Sequence, residues 1–167
     1  MTCNEKGVFH CCASSALHLL LVMLQMLIDD AIQAYDPAGT QFAMASLLAD
    51  GAKVLNVSTG LTRFSFPGFA AYAMAKGAVE VMTSYMAREL GPRGIAVNTL
   101  APGPIETDFG GGIVRDNPEM KAQMAEISAM GRTGLPDDIG AAVAGLLAPG
   151  TNWITGQRIE ASGGTLL

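Results

Sequence analysis

Tyr72 and Lys76 stand four residues apart in the run Phe69-Ala-Ala-Tyr-Ala-Met-Ala-Lys-Gly-Ala-Val-Glu80. On a helix, that spacing brings a phenol and an ammonium onto one face, a turn apart. A free tyrosine has a pKa of about 10 and is a poor acid or base at neutral pH. A cation held nearby stabilises the phenolate and moves the proton toward the range where it can shuttle. A tyrosine tuned in this way gives a proton to a carbonyl oxygen or takes one from an alcohol. Ordinary solvated helices carry the same pair, so its surroundings decide what it means.

Upstream, Gly51-Ala-Lys-Val-Leu-Asn-Val-Ser-Thr59 is an apolar, β-branched run of strand length ending in two hydroxyls. Downstream, Glu89-Leu-Gly-Pro92 stops the helix, and Gly94-Ile-Ala-Val-Asn-Thr-Leu-Ala-Pro-Gly103 forms a second short strand broken by Pro102-Gly103. Strand, helix, strand and Pro-Gly predict a βαβ unit of a parallel sheet. Such sheets carry their chemistry at the carboxyl ends of the strands, where Ser58, Thr59 and Pro102-Gly103 fall.

Five stretches in order resemble the short-chain dehydrogenase/reductase family. They are Val54-Leu-Asn-Val-Ser-Thr59, Tyr72…Lys76, Asn98-Thr-Leu-Ala-Pro-Gly-Pro-Ile-Glu-Thr107, Gly131-Arg-Thr-Gly-Leu-Pro-Asp-Asp-Ile139 and Ile159-Glu-Ala-Ser-Gly-Gly164. The resemblance runs from about residue 40 to the C-terminus, with a short piece at residues 4–9. It implies an α/β fold: a partial Rossmann-like parallel sheet flanked by helices, the C-terminal portion of a doubly wound fold. It implies Tyr72 as acid/base, with Lys76 assisting it and bonding the nicotinamide ribose of NAD or NADP. A hydroxyl thirteen positions before the tyrosine polarises the substrate oxygen in the family, and here that position is Thr59. The family usually has Ser there. Thr keeps the hydroxyl but adds a methyl group and stiffens χ1, and Ser58 beside it is the alternative. Pro102, Gly103, Pro104, Ile105 and Thr107 resemble the loop against the nicotinamide. Asn4 resembles the family's helix-borne Asn that supports a water relay to the lysine.

Complete members of the family begin with a strand, a Gly-rich turn and a helix whose N-terminus holds the pyrophosphate. No such fingerprint stands in this chain, nor does the residue that selects NAD over NADP, so the adenosine-binding half is expected to be missing. Gly110-Gly111-Gly112 follows the Pro-Gly loop and precedes a polar segment, which reads as the hinge of a lid. The whole chain is therefore expected to be a single incomplete domain, with residues of about 11–39 as an insertion or a non-native segment. Three explanations of that segment stay open: an extra amphipathic element, a membrane or signal segment, or a retained intron.

The uncharged stretch 10–28 approaches the roughly 20 apolar residues of a membrane span, but two His, two Ser and a Gln interrupt it. The opening Met-Thr-Cys-Asn-Glu-Lys carries an acid and one base, a poor signal-peptide front. Both features argue against a membrane, and the expected location is cytoplasmic. Cys3, Cys11 and Cys12 form no metal-ligand spacing with His10 and His18, so no metal is expected and the thiols read as reduced. The net charge of −5 argues against a nucleic-acid partner. Half of the 167 residues are hydrophobic and 15% charged, which suits strands buried on both faces.

The helix expected over residues 72–90 has an apolar stripe at Ala75, Val79, Met82 and Met86, facing either core or partner. In the family this helix packs on its copy, which implies a dimer or tetramer. Residues 109–130 resemble the lid over the substrate. Pro136-Asp-Asp-Ile139 opens a helix, with Pro at its first position and acids in its first turn, ending at Pro149-Gly150. Residues 157–161 form the last expected strand. Two functions stay open: hydride transfer between a nicotinamide and a small-molecule carbonyl or secondary alcohol, or a non-catalytic fragment that associates with a full-length relative.

Overall fold

Stiff, β-branched side chains favour extended backbone, and Val54, Val57, Val97 and Ile159 all lie in strands. The computed structural model describes residues 47–167. Asn4, the cysteines and the 11–39 segment lie outside the described residues. Strands β1 (Lys53–Val57), β2 (Ala96–Pro102) and β3 (Arg158–Ala161) pair in the order β1-β2-β3, all parallel. Leu55 lies opposite Asn98, and Leu100 opposite Ile159. The arrangement is a parallel sheet flanked by helices, as the βαβ pattern and the resemblance predict.

The middle strand carries the core. Ala96 to Ala101 are all buried, including Val97 and Leu100 with no exposed surface. Two polar residues inside this run are satisfied. The Asn98 amide donates to the Ile154 carbonyl at 2.6 Å and accepts from the Gln157 amide at 3.0 Å. Thr99 donates to the Thr83 hydroxyl at 2.6 Å. Buried polar groups cost free energy unless paired, so these bonds fix the register.

Helix α1 (Ala70–Leu90) is followed by short helices α2 (Ile113–Asp116) and α3 (Pro118–Glu126), then α4 (Pro136–Leu147). The side of α1 against the sheet differs from the expected stripe. Thr83, Ala87 and Leu90 are buried, Val79, Met82 and Met86 are half-buried, and Ala75 is exposed. The cause is polar: Thr83 takes a hydrogen bond from Asn56 at 2.9 Å and one from Thr99, while donating to the Val79 carbonyl at 2.8 Å. That ladder turns the helix by one position, which brings Lys76 and Glu80 onto the sheet side. Helix α4 starts at Pro136 as expected. The Asp138 carboxylate accepts from the Leu135 amide at 2.8 Å, satisfying an otherwise free donor of the first turn. Among the described residues, no helix is long and apolar enough to cross a membrane.

Strand β2 ends at a close approach. A Cβ on Gly103 would lie 2.7 Å from both Cα and Cβ of Ser162, which follows β3. Backbone atoms cannot give way as a flexible side-chain tip can. Gly103→Ala is therefore expected to cost about 1–3 kcal/mol of stability, read as a lower denaturant midpoint. Gly140→Ala, inside α4 with open space around the added methyl, is expected to gain about 0.5–1 kcal/mol.

Candidate active site

The parallel sheet places the carboxyl ends of its strands along one edge. Ser58 and Thr59 follow β1 there, and the loop of Pro102, Gly103, Pro104, Ile105 and Thr107 leaves β2. The first turns of α1 carry Tyr72 and Lys76. The Lys76 ammonium donates to the carbonyl of Val57, the last residue of β1, at 2.9 Å. This bond ties the helix to the strand end and leaves two of the three ammonium hydrogens without a described partner. The same nitrogen lies 6.0 Å from the centre of the Tyr72 ring. Phe109, after the β2 loop, packs its ring against Tyr72 with centroids 5.5 Å apart. The Tyr72 hydroxyl makes no hydrogen bond to any described residue.

The two neighbouring hydroxyls differ in their partners. Ser58, 3% exposed, donates to the Glu80 carboxylate at 2.6 Å. Thr59, 8% exposed, caps the short 3-10 turn Gly60–Thr62 by accepting from the Leu61 amide at 3.3 Å. Its own hydroxyl proton has no acceptor among the described residues. Ser58 is thus held by a carboxylate, while Thr59 keeps a donor to offer.

The loop after β2 is pinned at its middle. Gly134 donates to the Pro104 carbonyl at 2.9 Å and accepts from the Glu106 amide at 3.0 Å, making a one-residue parallel bridge with Ile105. Glu106 accepts from Lys121 at 2.8 Å and from Thr133 at 2.6 Å, and these bonds hold its carboxyl below the usual range. Thr107 accepts from the Phe109 amide at 3.2 Å, and its hydroxyl proton has no acceptor among the described residues. Gly110, Gly111 and Gly112 then take φ of 63°, 76° and 76°, a left-handed run that β-carbons disfavour. They lead into the four-residue α2, a geometry unlike a strand-to-helix phosphate turn.

Beneath the hydroxyl turn lies a set of charges that the sequence reading missed. Glu80 accepts from Ser58, from Thr62 at 2.7 Å and from Arg158 at 2.9 Å. Burial pushes its carboxyl up, but those three bonds outweigh it and the net shift is downward. Glu160 accepts two bonds from Arg63, at 2.9 and 2.7 Å, one from Arg158 at 2.9 Å and one from Ser162 at 2.6 Å. The Arg63 bonds lead in holding Glu160 down to about 2, from an ordinary 4.5. Two signals pointed to this set: Glu80 repeats the four-residue spacing of Tyr72 and Lys76, and Arg158 and Glu160 share one face of β3.

The depressed Glu160 makes folding sensitive to acid. Its contribution is fully present above about pH 4.5 and is lost as pH falls toward about 2, because the unfolded chain takes up the proton first. Denaturant midpoints measured across that window should fall steadily. Arg63→Gln should lower the midpoint at neutral pH and flatten the acid slope.

The open donors of Lys76, Tyr72, Thr59 and Thr107 suit a ligand rich in hydroxyl, carbonyl or carboxamide oxygens. A family model described as Enoyl-(Acyl carrier protein) reductase matches residues 31–165. An NADPH-dependent aldehyde reductase-like protein of Arabidopsis thaliana is 39% identical over 116 residues, 68% of this chain and 42% of that protein. The promiscuous reductase LugOII, which catalyses a keto-reduction in lugdunomycin biosynthesis, is 46% identical, with a TM-score of 0.66 over 71% of this chain and 46% of its own. The angucycline C-6 ketoreductase LanV, solved with bound NADP, is 39% identical, with a TM-score of 0.66 over 72% of this chain and 46% of its own. The chain spans about half the length of the curated relatives it matches. With the family model covering most of its residues and the strand-end motifs in one place, the chain belongs to the short-chain dehydrogenase/reductase family.

Proposed function

We propose that this chain carries the proton-transfer side of an NAD(P)-dependent reductase acting on a small-molecule carbonyl or, in reverse, a secondary alcohol. The observation that carries this reading is Lys76, anchored on the Val57 carbonyl at 2.9 Å beside a tyrosine whose hydroxyl bonds to none of the described residues. When bound, a reduced nicotinamide supplies the hydride. Tyr72 gives its hydroxyl proton to the substrate oxygen, and takes one back in the oxidative direction. The ammonium of Lys76 offsets the negative charge left on the phenol oxygen, and its two open hydrogens suit ribose hydroxyls. Thr59 donates to the same substrate oxygen. Pro102, Gly103, Pro104, Ile105 and Thr107 hold the nicotinamide end of the cofactor. Asn4 lies outside the described residues, and its role in a water relay to the lysine rests on the resemblance alone.

The partner state fits the same reading. Met74, Ala78, Val81 and Tyr85 form an exposed stripe on α1, with Val81 61% and Tyr85 65% exposed. A second copy of the chain would cover it, giving a dimer or tetramer in the cytoplasm. The single Rossmann-like domain, with residues of about 11–39 as an insertion or a non-native segment, belongs to this proposal too. A second reading is a non-catalytic chain that associates with a full-length relative; the chain spans about half the length of the curated relatives it matches.

Titration of the purified chain with NADPH and NADH, followed by nicotinamide fluorescence, separates the two. Saturable binding is expected for the reductase, and absence of binding at millimolar cofactor supports the second reading. Thr59→Ala should lower kcat/KM by about 10²-fold, as loss of one donor to a reacting oxygen does. Ser58→Ala should lower it less, because that hydroxyl is bonded to Glu80; a larger loss at Ser58 would reverse the assignment.

A further inference from the structure

Arg158 joins three separate segments at the strand ends. Its guanidinium donates to the Thr59 carbonyl at 3.1 Å, to the Thr62 hydroxyl at 3.2 Å, to Glu80 on α1 at 2.9 Å and to Glu160 within β3 at 2.9 Å. Glu80 closes the same ring from the helix, taking the hydroxyls of Ser58 and Thr62. Glu160 continues the contacts to Arg63, which also donates to the carbonyls of Thr165 and Leu166.

The side chains of Glu80, Arg158 and Glu160 are only 20%, 25% and 17% exposed. Partly buried charges carry a desolvation cost, and apolar residues of similar volume often serve stability as well. Their geometry, however, converges on the turn that bears Thr59. Arg158 fixes its carbonyl, Glu80 removes the Ser58 proton from contention, and both fix Thr62 at the end of the 3-10 turn. Glu80 stands one turn after Lys76 on the face that carries Tyr72 and Lys76.

We propose that Glu80 and Arg158 are positioning residues: they lock the Thr59 turn to the helix bearing Tyr72 and Lys76, so that Thr59 is the hydroxyl presented to substrate. The inference rests on the reductase reading for its functional consequence, but not for its geometry. Its test uses the full chain, with Glu80→Met and Arg158→Met compared by amide hydrogen exchange and by kinetics.

In both variants the amides of Leu61 and Arg63, which bond to Thr59 and Gly60, should exchange about tenfold faster, while those of Val97 and Leu100 in β2 keep their protection. Unchanged exchange at Leu61 and Arg63, or a loss shared equally with β2, overturns the proposal. Should Arg158→Met fail to fold, Glu80→Met, which removes the acceptor of all three bonds and keeps the length of the side chain, decides alone. In kinetics, kcat should fall about 10²-fold with the KM for NADPH little changed, and Arg158→Lys should recover part of it. An unchanged kcat also overturns the proposal. If the unsubstituted chain shows no turnover, the reductase reading fails separately, and the exchange data still decide whether Glu80 and Arg158 hold the turn.

Discussion

Tyr72→Phe is expected to lower ketone turnover by about 10²–10⁴-fold, the range that a positioned general acid contributes, while NADPH affinity stays close to that of the unsubstituted chain. The substitution removes one oxygen and nothing else. Phe keeps the ring that packs on Phe109 at 5.5 Å, and the lost hydroxyl has no described partner whose bond would be broken. The fold should therefore be unaffected, with a thermal midpoint near that of the parent. A steady-state assay with a small ketone panel, run beside a fluorescence titration with NADPH, checks both halves. Loss of binding together with turnover would give Tyr72 a structural role instead.

Lys76→Ala should damage both quantities. The ammonium holds the end of β1 through the Val57 carbonyl, and its remaining hydrogens are the ones assigned to the ribose. Hydrogen bonds to a charged group are worth about 1.5–3 kcal/mol each, so one lost contact weakens NADPH binding by about 10–100-fold. Turnover should fall further still, since the charge opposite the phenol oxygen is gone as well. Some stability should also be lost, because the Val57 carbonyl loses its lysine partner. Calorimetric titration with NADPH, set against kcat for the same preparation, separates the contributions. A variant that binds as tightly as the parent would remove Lys76 from the cofactor site.

The parts of the site that lie close together in sequence were legible there. The four-residue spacing of Tyr72 and Lys76, the hydroxyls at the end of β1 and the Pro-Gly break after β2 each follow from local rules, and the parallel sheet brings them to one edge. Pro136 with Asp138 marked the start of α4 in the same way. The rest depended on contacts between distant segments. Glu80 and Arg158 lie 78 residues apart, and charged residues are read by default as solvated. The rotation of α1 was hidden for a related reason: the sheet side is chosen by Thr83, whose hydroxyl takes bonds from two strands, and not by the Val79 and Met82 stripe. The contact of Phe109, the first residue of the expected lid, with Tyr72 was not legible because the rest of α1 and all of β2 separate the two along the chain.

The most direct measurement follows a single atom. The purified chain is mixed with NADPH deuterated at the transferring position of the nicotinamide and with a small ketone, and the product is analysed by mass spectrometry. The proton-transfer assignment predicts an alcohol carrying one deuterium on the former carbonyl carbon, formed by the unsubstituted chain and nearly absent with Tyr72→Phe. No deuterated alcohol from the unsubstituted chain at saturating NADPH, or equal amounts from both proteins, would contradict it.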